Sequence, residues 1–591
     1  MKKFIPVFIF LIILLAGLLT FDNYGQSWDE DSLQTYATKS LNAYSTWREE
    51  GIVNLTRDDL AFYGPAYVML VEWLAQTIKT SFHISDVRHL IYFLTYFFGA
   101  LAFYSIAKRW LSENAALGAT LLFATQPLLW GHAFINPKDT PFLSLFLISI
   151  ALGFKAFDSI DSNTKLDKKI MLLTTFWLVS VFGFFLFTQA IHDYIATLVM
   201  SAQAGNTNII SLIAKNISGV SADVYTQRYF LLFLQIRTFY FLLSTFLLLF
   251  VYYRSQPNLL KTILILLPAG IFLGFATSTR ILGPFAGLIV THYAFRNKGK
   301  SALLPLTIYL ILSLIFTYIT WPYLWMNPIA HFVESFREMS LYPWTGTVLF
   351  NGVSYPITDL PFSYLPVLFG IQFSEAVWVL TIVGVWLAIR GQEMRGVEPV
   401  ETKRGLIELF GIWFLIPFLA FIIFKIALYD NFRQILFLVP PIFLMAGMAF
   451  ERIKNVKWQT VLVVLCLIPN IFGIVKLHPY EYIYYNTFAG DTSESFENDY
   501  WAISYREAAE YVNGVASPNA NIWVEGPAQL FTMFAREDLK IFSSGEIERA
   551  ESYEYVVSTT RYDLDKKSYP DAEVIYEIKR GNAVLTVIKK P

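Results

Sequence analysis

One cysteine stands in 591 residues, and that residue, Cys466, lies inside an apolar run. Disulfides and cysteine-held metal sites are thereby excluded. Charge is scarce as well. Asp, Glu, Lys and Arg make up 15% of the chain, where a soluble protein carries about a quarter. The net charge is -1, which offers no basic surface for nucleic acid. A chain so poor in charge lacks a water-facing surface of ordinary size. What it has instead is 55% hydrophobic residues and 17% aromatics. Many of the aromatics sit at the ends of apolar runs, as in the belts that membrane helices place at the bilayer interface.

Apolar stretches of about 17–25 residues are long enough to cross a bilayer. About thirteen runs approach that length: Phe4–Thr20, His89–Ala107, Ala115–Trp130, Pro141–Phe157, Ile170–Thr188, Thr238–Tyr253, Thr262–Thr277, Ile281–Ala294, Ala302–Thr320, Glu375–Ile389, Gly405–Phe424, Gln434–Phe450 and Gln459–Val475. The expected fold is a polytopic α-helical membrane protein. No small-residue cleavage site follows the first run, so it is expected to remain as a span.

The loops alternate in character. One set is short and basic: Lys2 and Lys3; Lys108 and Arg109; Lys165, Lys168 and Lys169; Arg254 and Lys261; Arg296, Lys298 and Lys300; Arg390, Arg395, Lys403 and Arg404; Arg452, Lys454 and Lys457. The positive-inside rule assigns these to the cytoplasm, with the N-terminus inside and the C-terminus outside a cell membrane. The other set, expected outside, is long, polar and aromatic: Phe21–Arg88, Gly131–Thr140, Gln189–Arg237, Trp321–Ser374 and Lys425–Arg433. The first of these carries "AYVMLVEWLAQTIKTSF", too short to span and suited to lying along the interface. This asymmetry places the expected function on the outer face.

After Lys476 the composition becomes that of a water-soluble segment. "SYREAAEYVNG" has a helical pattern, "NIWVEG" that of a strand, and "EVIYEIKRGNAVLTVIKK" that of two alternating strands around a Gly-Asn turn. The expected division is a membrane domain over 1–475 and a small extracytoplasmic α/β domain over 476–591.

Charged residues at the outer ends of the runs are the candidates for chemistry. "SWDED" follows the first span with Asp29, Glu30 and Asp31; "GHAFINPKDTPF" brings His132, Asn136, Lys138 and Asp139. Arg280 lies in "TSTRILGP" between two runs, Asp430 and Arg433 in "YDNFRQILF", and His478 in "HPYEYIYYN" after the last run. Each has a plain explanation: solvated acids, a Lys138–Asp139 pair that caps and anchors the helix at Pro141, an arginine snorkelling to headgroups. Charges at membrane helix ends are costly, however, and tend to pair or to mark ligand paths. Together they suit one class of reaction. A carboxylate takes a proton from an attacking hydroxyl, and cations hold a phosphate and stabilise it as it leaves. Sequons at Asn54 and Asn216 carry little weight, because such short patterns recur by chance.

"SWDE", "NPKDTPF", "TSTRILGP", "WPYLWMNP" with "PWTGTVLFNG", "LPFSYLP", "YDNFRQILF" and "HPYEYIYYNTFAG" together resemble the bacterial GT-C glycosyltransferases of the protein O-mannosyltransferase type, whose relatives include lipid A aminoarabinose transferases. The resemblance covers most of residues 1–505 in order. It implies a GT-C fold and an inverting transfer of a sugar from a polyprenyl-phosphate carrier, outside the cytoplasm. The donor is a lipid-linked sugar; the acceptor is protein, lipid or glycan. By the same resemblance Asp29 is the base, Glu30 its neighbour or an acceptor contact, and Asp139 positions the acceptor or tunes Asp29. Lys138, Arg280 and Arg433 hold the donor phosphate. His132, Asn136, Tyr63, Trp325 and His478 are candidates for the substrate cavity. No cofactor beyond the donor is implied, and a divalent metal stays open. No inserted MIR domain is visible, and the Glu-Lys pair of the aminoarabinose branch has no match in the first loop.

The main rival is a transporter or flippase of a lipid-linked sugar. Transporters keep polar groups near the bilayer midplane, often within inverted repeats. Here the charges gather at loop–helix junctions, and no repeat is visible.

Overall fold

A computed structural model describes residues 4–56, 58, 60–160, 168–214, 219–255, 257–340, 344–390, 399–545 and 550–591, with 399–404 described by backbone only. Lys2, Lys3, Lys165, Asn216, Arg395 and the leading Pro343 of "PWTGTVLFNG" lie outside the described residues, as do the side chains of Lys403 and Arg404.

The protein is a polytopic helical membrane protein with a small mixed sheet at its C-terminal end. Nine helices among the described residues are long and apolar enough to cross a bilayer, or ten if Tyr364–Gln372 and Glu375–Ile389, bent by 108°, form one span. The other expected runs differ for local reasons. Ala115–Trp130 divides into helices Glu113–Ala124 and Pro127–Ile135, because Pro127 opens a new helix and Gln126 before it is extended. Gln434–Phe450 begins as a 3-10 turn, Arg433–Leu438, and continues as the 12-residue helix Pro440–Glu451. Ile281–Ala294 becomes helix Pro284–Lys298, which is joined through one basic 3-10 turn, Gly299–Ala302, to helix Leu303–Thr320. "AYVMLVEWLAQT" forms the 12-residue helix Ala66–Thr77, too short to span.

The chain divides into two compact units, one of Met1–Leu33, Trp73–Ala151 and Tyr342–Pro591, the other of Gln34–Glu72 and Leu152–Leu341. In the first, helix Pro440–Glu451 is buried from Pro440 to Phe450. The sheet belongs to this unit. A short hairpin, β1 (Thr347–Phe350) and β2 (Val353–Pro356), precedes the sheet strands β3 (Asn521–Glu525), β4 (Lys540–Ser543), β5 (Tyr555–Thr559), β6 (Glu573–Arg580) and β7 (Ala583–Lys590). Their order is β4-β3-β5-β7-β6, with β4 and β5 parallel to β3, and β7 antiparallel to β5 and β6. The expected helix is Tyr505–Val515. The β6–β7 turn has Gly581 at φ +61, a conformation that a side chain resists.

In the second unit, polar side chains bind one membrane helix to another. Thr174 and Tyr252 hydroxyls lie 2.6 Å apart, those of Ser180 and Tyr240 2.7 Å, and Trp177 Nε1 donates to Ser244 Oγ at 3.2 Å. Such contacts join Lys168–Leu186 to Ala222–Ser255 where the hydrophobic effect cannot. Gly270 and Gly274 let Pro257–Thr277 approach Leu303–Thr320. A Cβ at Gly274 would meet the Phe316 Cβ at 2.7 Å, and one at Gly270 the Leu312 Cβ at 2.5 Å.

Candidate active site

"SWDE" folds as a turn tied from its first residue to its last. Ser27 N–H and Oγ–H both donate to Glu30 Oε1, at 2.8 and 3.0 Å, which closes the start of helix Glu30–Glu50. Trp28 N–H donates to the Trp501 carbonyl at 3.1 Å and anchors the turn. Asp29 therefore stands immediately before the helix, at the end where the dipole favours a negative charge. Glu30 is fully buried, with Oε1 also 3.4 Å from His89 Nε2. Asp31, one residue on, is exposed.

"NPKD" is a second helix start. Asn136 Oδ1 accepts from the backbone N–H of Lys138 at 3.1 Å and of Asp139 at 2.7 Å, with Pro137 in the position proline favours. Asn136 Nδ2 donates to Asp139 Oδ2 at 3.2 Å. The cap thus fixes Asp139 and leaves the Lys138 side chain to reach Asp29, Nζ to Oδ2 at 3.1 Å.

"YDNFR" supplies the third piece. Asp430 and Asn431 have φ of +51 and +66, a turn that Asp and Asn tolerate better than most residues. The turn delivers Arg433, whose side chain is 1% exposed. Its Nη1 lies 3.0 Å from Asp139 Oδ2 and 3.3 Å from Asp29 Oδ2, while Nη2 lies 3.2 Å from Asp430 Oδ2. Its guanidinium also covers the Trp501 ring at 4.9 Å.

A residue that the sequence did not single out completes the cluster. Arg561 follows β5 and pairs through Nη2 with Asp430 Oδ1 at 2.7 Å, while Nη1 donates to the Tyr500 carbonyl. Arg561 also lies over the Trp28 ring at 5.5 Å. Nothing in its local sequence marks it, since charged residues are ordinary in a water-soluble segment. Tyr500, likewise unforeseen, has its hydroxyl 3.0 Å from His132 Nε2, and His132 Nδ1 is 3.2 Å from Asn136 Nδ2.

The electrostatics follow. Burial alone would raise the Asp29 carboxyl, but Lys138, Arg433 and Arg561 together outweigh it and hold Asp29 well below the usual carboxylate range. Burial also works against the Lys138 ammonium, yet Asp29 foremost among its neighbours raises it. His132 is pushed down to about 3, chiefly by burial, so its imidazole is neutral near neutral pH. Asp29 keeps 29% of its side chain exposed although Oδ2 is enclosed, so the exposure lies on the rest of the side chain. Asp139, at 0%, faces only protein. Asp29 is the cluster's accessible acid.

His478 belongs to another cluster of this unit: Nδ1 lies 2.8 Å from Glu481 Oε1 and Nε2 lies 2.9 Å from Asn23 Nδ2. Arg280, Tyr63 and Trp325 are residues of the second unit. Arg280 is half-buried in the turn after Pro257–Thr277, its N–H donating to the Ala276 carbonyl at 3.0 Å. Tyr63 is buried and its carbonyl accepts from the Tyr36 hydroxyl at 2.6 Å. Trp325 Nε1 donates to the Tyr318 carbonyl at 2.7 Å, and its ring lines an apolar cavity of about 860 Å³ with Trp47, Phe185, Arg237, Tyr318 and Phe332. Among the described residues no cluster of three or more His, Cys, Asp or Glu is arranged to hold a metal ion.

No family model and no curated protein matches the chain. Among solved structures it is similar to ArnT from Cupriavidus metallidurans bound to undecaprenyl phosphate, at 12% identity and a TM-score of 0.45, over 99% of this chain and 98% of that one. The apo state of the same protein gives 13% and 0.44, over 99% and 97%. The apo oligosaccharyltransferase of Archaeoglobus fulgidus gives 12% and 0.40, over 96% of this chain and 71% of that one. The likeness is one of architecture.

Proposed function

We propose that the protein is an inverting membrane glycosyltransferase that moves a sugar from a polyprenyl-phosphate carrier to an acceptor hydroxyl on protein, lipid or glycan. The observation that carries this reading is the partly exposed Asp29, its carboxylate clamped through one oxygen by Lys138 and Arg433. A base and phosphate-binding cations thus stand side by side. The ordered motifs of the sequence support the same reading.

In the proposed reaction Asp29 takes the acceptor's O–H proton and the acceptor oxygen attacks the anomeric carbon. The bond from that carbon to the phosphate oxygen breaks, and its electron pair leaves with the phosphate. Lys138 and Arg433 receive the leaving charge. The three acids Asp29, Asp139 and Asp430 balance the three cations Lys138, Arg433 and Arg561. An entering phosphate must therefore compete with a carboxylate for its cations, and Lys138 is the more exposed of the two cations at Asp29, 12% against 1%. Drawing Lys138 to the phosphate releases Asp29, which becomes a stronger base as the donor binds. Asp139 tunes Arg433, and Glu30 fixes the turn that carries Asp29.

The alternation of basic loops supports an N-terminus in the cytoplasm and a site on the outer face, with 476–591 as an extracytoplasmic domain on the catalytic membrane domain 1–475. Incubating the purified protein with radiolabelled polyprenyl-phosphate sugars tests the reading, and label passing to an acceptor is expected. Movement of the lipid-linked sugar across a vesicle membrane without transfer favours the flippase instead.

A further inference from the structure

Three ion pairs run in series from the C-terminal sheet to the proposed base, and a fourth branches to Asp139. Arg561 Nη2 meets Asp430 Oδ1 at 2.7 Å, Asp430 Oδ2 meets Arg433 Nη2 at 3.2 Å, and Arg433 Nη1 meets Asp139 at 3.0 Å and Asp29 at 3.3 Å. The side chains of Arg561, Asp430 and Arg433 are 7%, 4% and 1% exposed. Water screens such charges little, so each must be compensated by its neighbours. Arg433 is shared by three acids. Remove Arg561, and among the described residues Arg433 is the ion-pair partner left to Asp430, which draws the guanidinium away from Asp29 and Asp139.

We propose that Arg561, contributed by the C-terminal domain, is a positioning residue of the site: by holding Asp430 it keeps Arg433 turned toward Asp29 and Asp139. The inference rests on the glycosyltransferase reading. It makes the sheet domain part of the donor site. A role as mere adhesive for that domain, through the Tyr500 carbonyl, is the alternative to separate.

The test is binding of undecaprenyl phosphate to the full-length protein in lipid nanodiscs. Arg561→Gln keeps an N–H donor for the Tyr500 carbonyl and removes the charge opposite Asp430. It should weaken binding about tenfold in the parent background, the effect of losing roughly one charge-assisted contact. In an Asp430→Asn background it should have no further effect, because no acid is left to pull Arg433. Equal losses in both backgrounds, or no loss in the parent, overturn the inference. Should Arg561→Gln alone not fold, the double variant is compared with Asp430→Asn alone: equal affinities support the inference and a further loss in the double variant overturns it. A parent that binds no undecaprenyl phosphate and transfers no sugar overturns the glycosyltransferase reading itself, and this inference with it.

Discussion

Asp29 and Asp139, 110 positions apart in the chain, are held by the same nitrogen. Arg433 Nη1 lies 3.3 Å from one carboxylate and 3.0 Å from the other. The two acids differ in what else they meet. Asp139 is enclosed, capped by Asn136, and serves to hold the arginine. Asp29 has an exposed side, and on that side it can meet a substrate.

Lys138 is proposed to hold donor phosphate, and Arg280 is a second candidate on the motif resemblance alone. A hydrogen bond to a charged group contributes roughly 1.5–3 kcal/mol, so Lys138→Ala and Arg280→Ala should each lower transfer by about ten- to a hundredfold. Both variants should insert into the membrane normally. Donor affinity and transfer rate check this, and parent-like values in both would leave these residues as interface anchors.

The acid limb of the pH profile reports on Asp29. Its folded carboxyl lies below the usual range, so the stability its ion pairs contribute is present above the unfolded value and lost as pH falls through the folded one. Lys138→Ala removes one of the cations that lower it. The acid limb of transfer should then move to higher pH, as read from rate against pH for parent and variant.

Glu497 gives the opposite sign. Burial pushes its carboxyl up to about 7, with Arg561 opposing. Between the unfolded value of about 4.3 and the folded one the native protein keeps a proton that the unfolded chain has lost, so this group's contribution to stability falls as pH rises through that window. Glu497→Gln should flatten the slope. Unfolding midpoints measured at pH 5, 6 and 7.5 decide it.

Much of the fold was legible because its signals are local. Run length marked most of the spans, and period two marked β6 and β7. "SWDE" carried more than was read from it: the Ser-x-x-Glu spacing lets Glu30 reach back to Ser27, and it accounts for the burial of Glu30. Asn136 as a cap before a proline is equally local. At Pro127 and Pro440 run length overstated the helices, whereas Pro268 and Pro469 lie inside unbroken ones. Arg561 was illegible for a different reason. Its partner is 131 positions away, and only the folded sheet domain, with its chain passing Tyr500 and Trp501, sets it opposite Asp430.

The proposed orientation rests on the alternation of basic loops. Single cysteines placed in Asn486–Pro591, in a chain with Cys466 replaced, should react with an impermeant thiol reagent applied outside intact cells. Cysteines placed in Gly391–Lys403 should not. Reversed labelling would put the proposed site on the wrong side of the membrane.

The account turns on Asp29 as the base. Asn in its place keeps the shape and a hydrogen bond but cannot take a proton, and loss of a general base costs about 100- to 10,000-fold. The measurement is transfer from a radiolabelled polyprenyl-phosphate sugar by Asp29→Asn, beside undecaprenyl phosphate binding by the same variant, with Asp31→Asn at the exposed neighbouring position as the control. The predicted result is transfer reduced by at least about a hundredfold, with donor binding retained and Asp31→Asn close to the parent. Near-parent transfer by Asp29→Asn would contradict it.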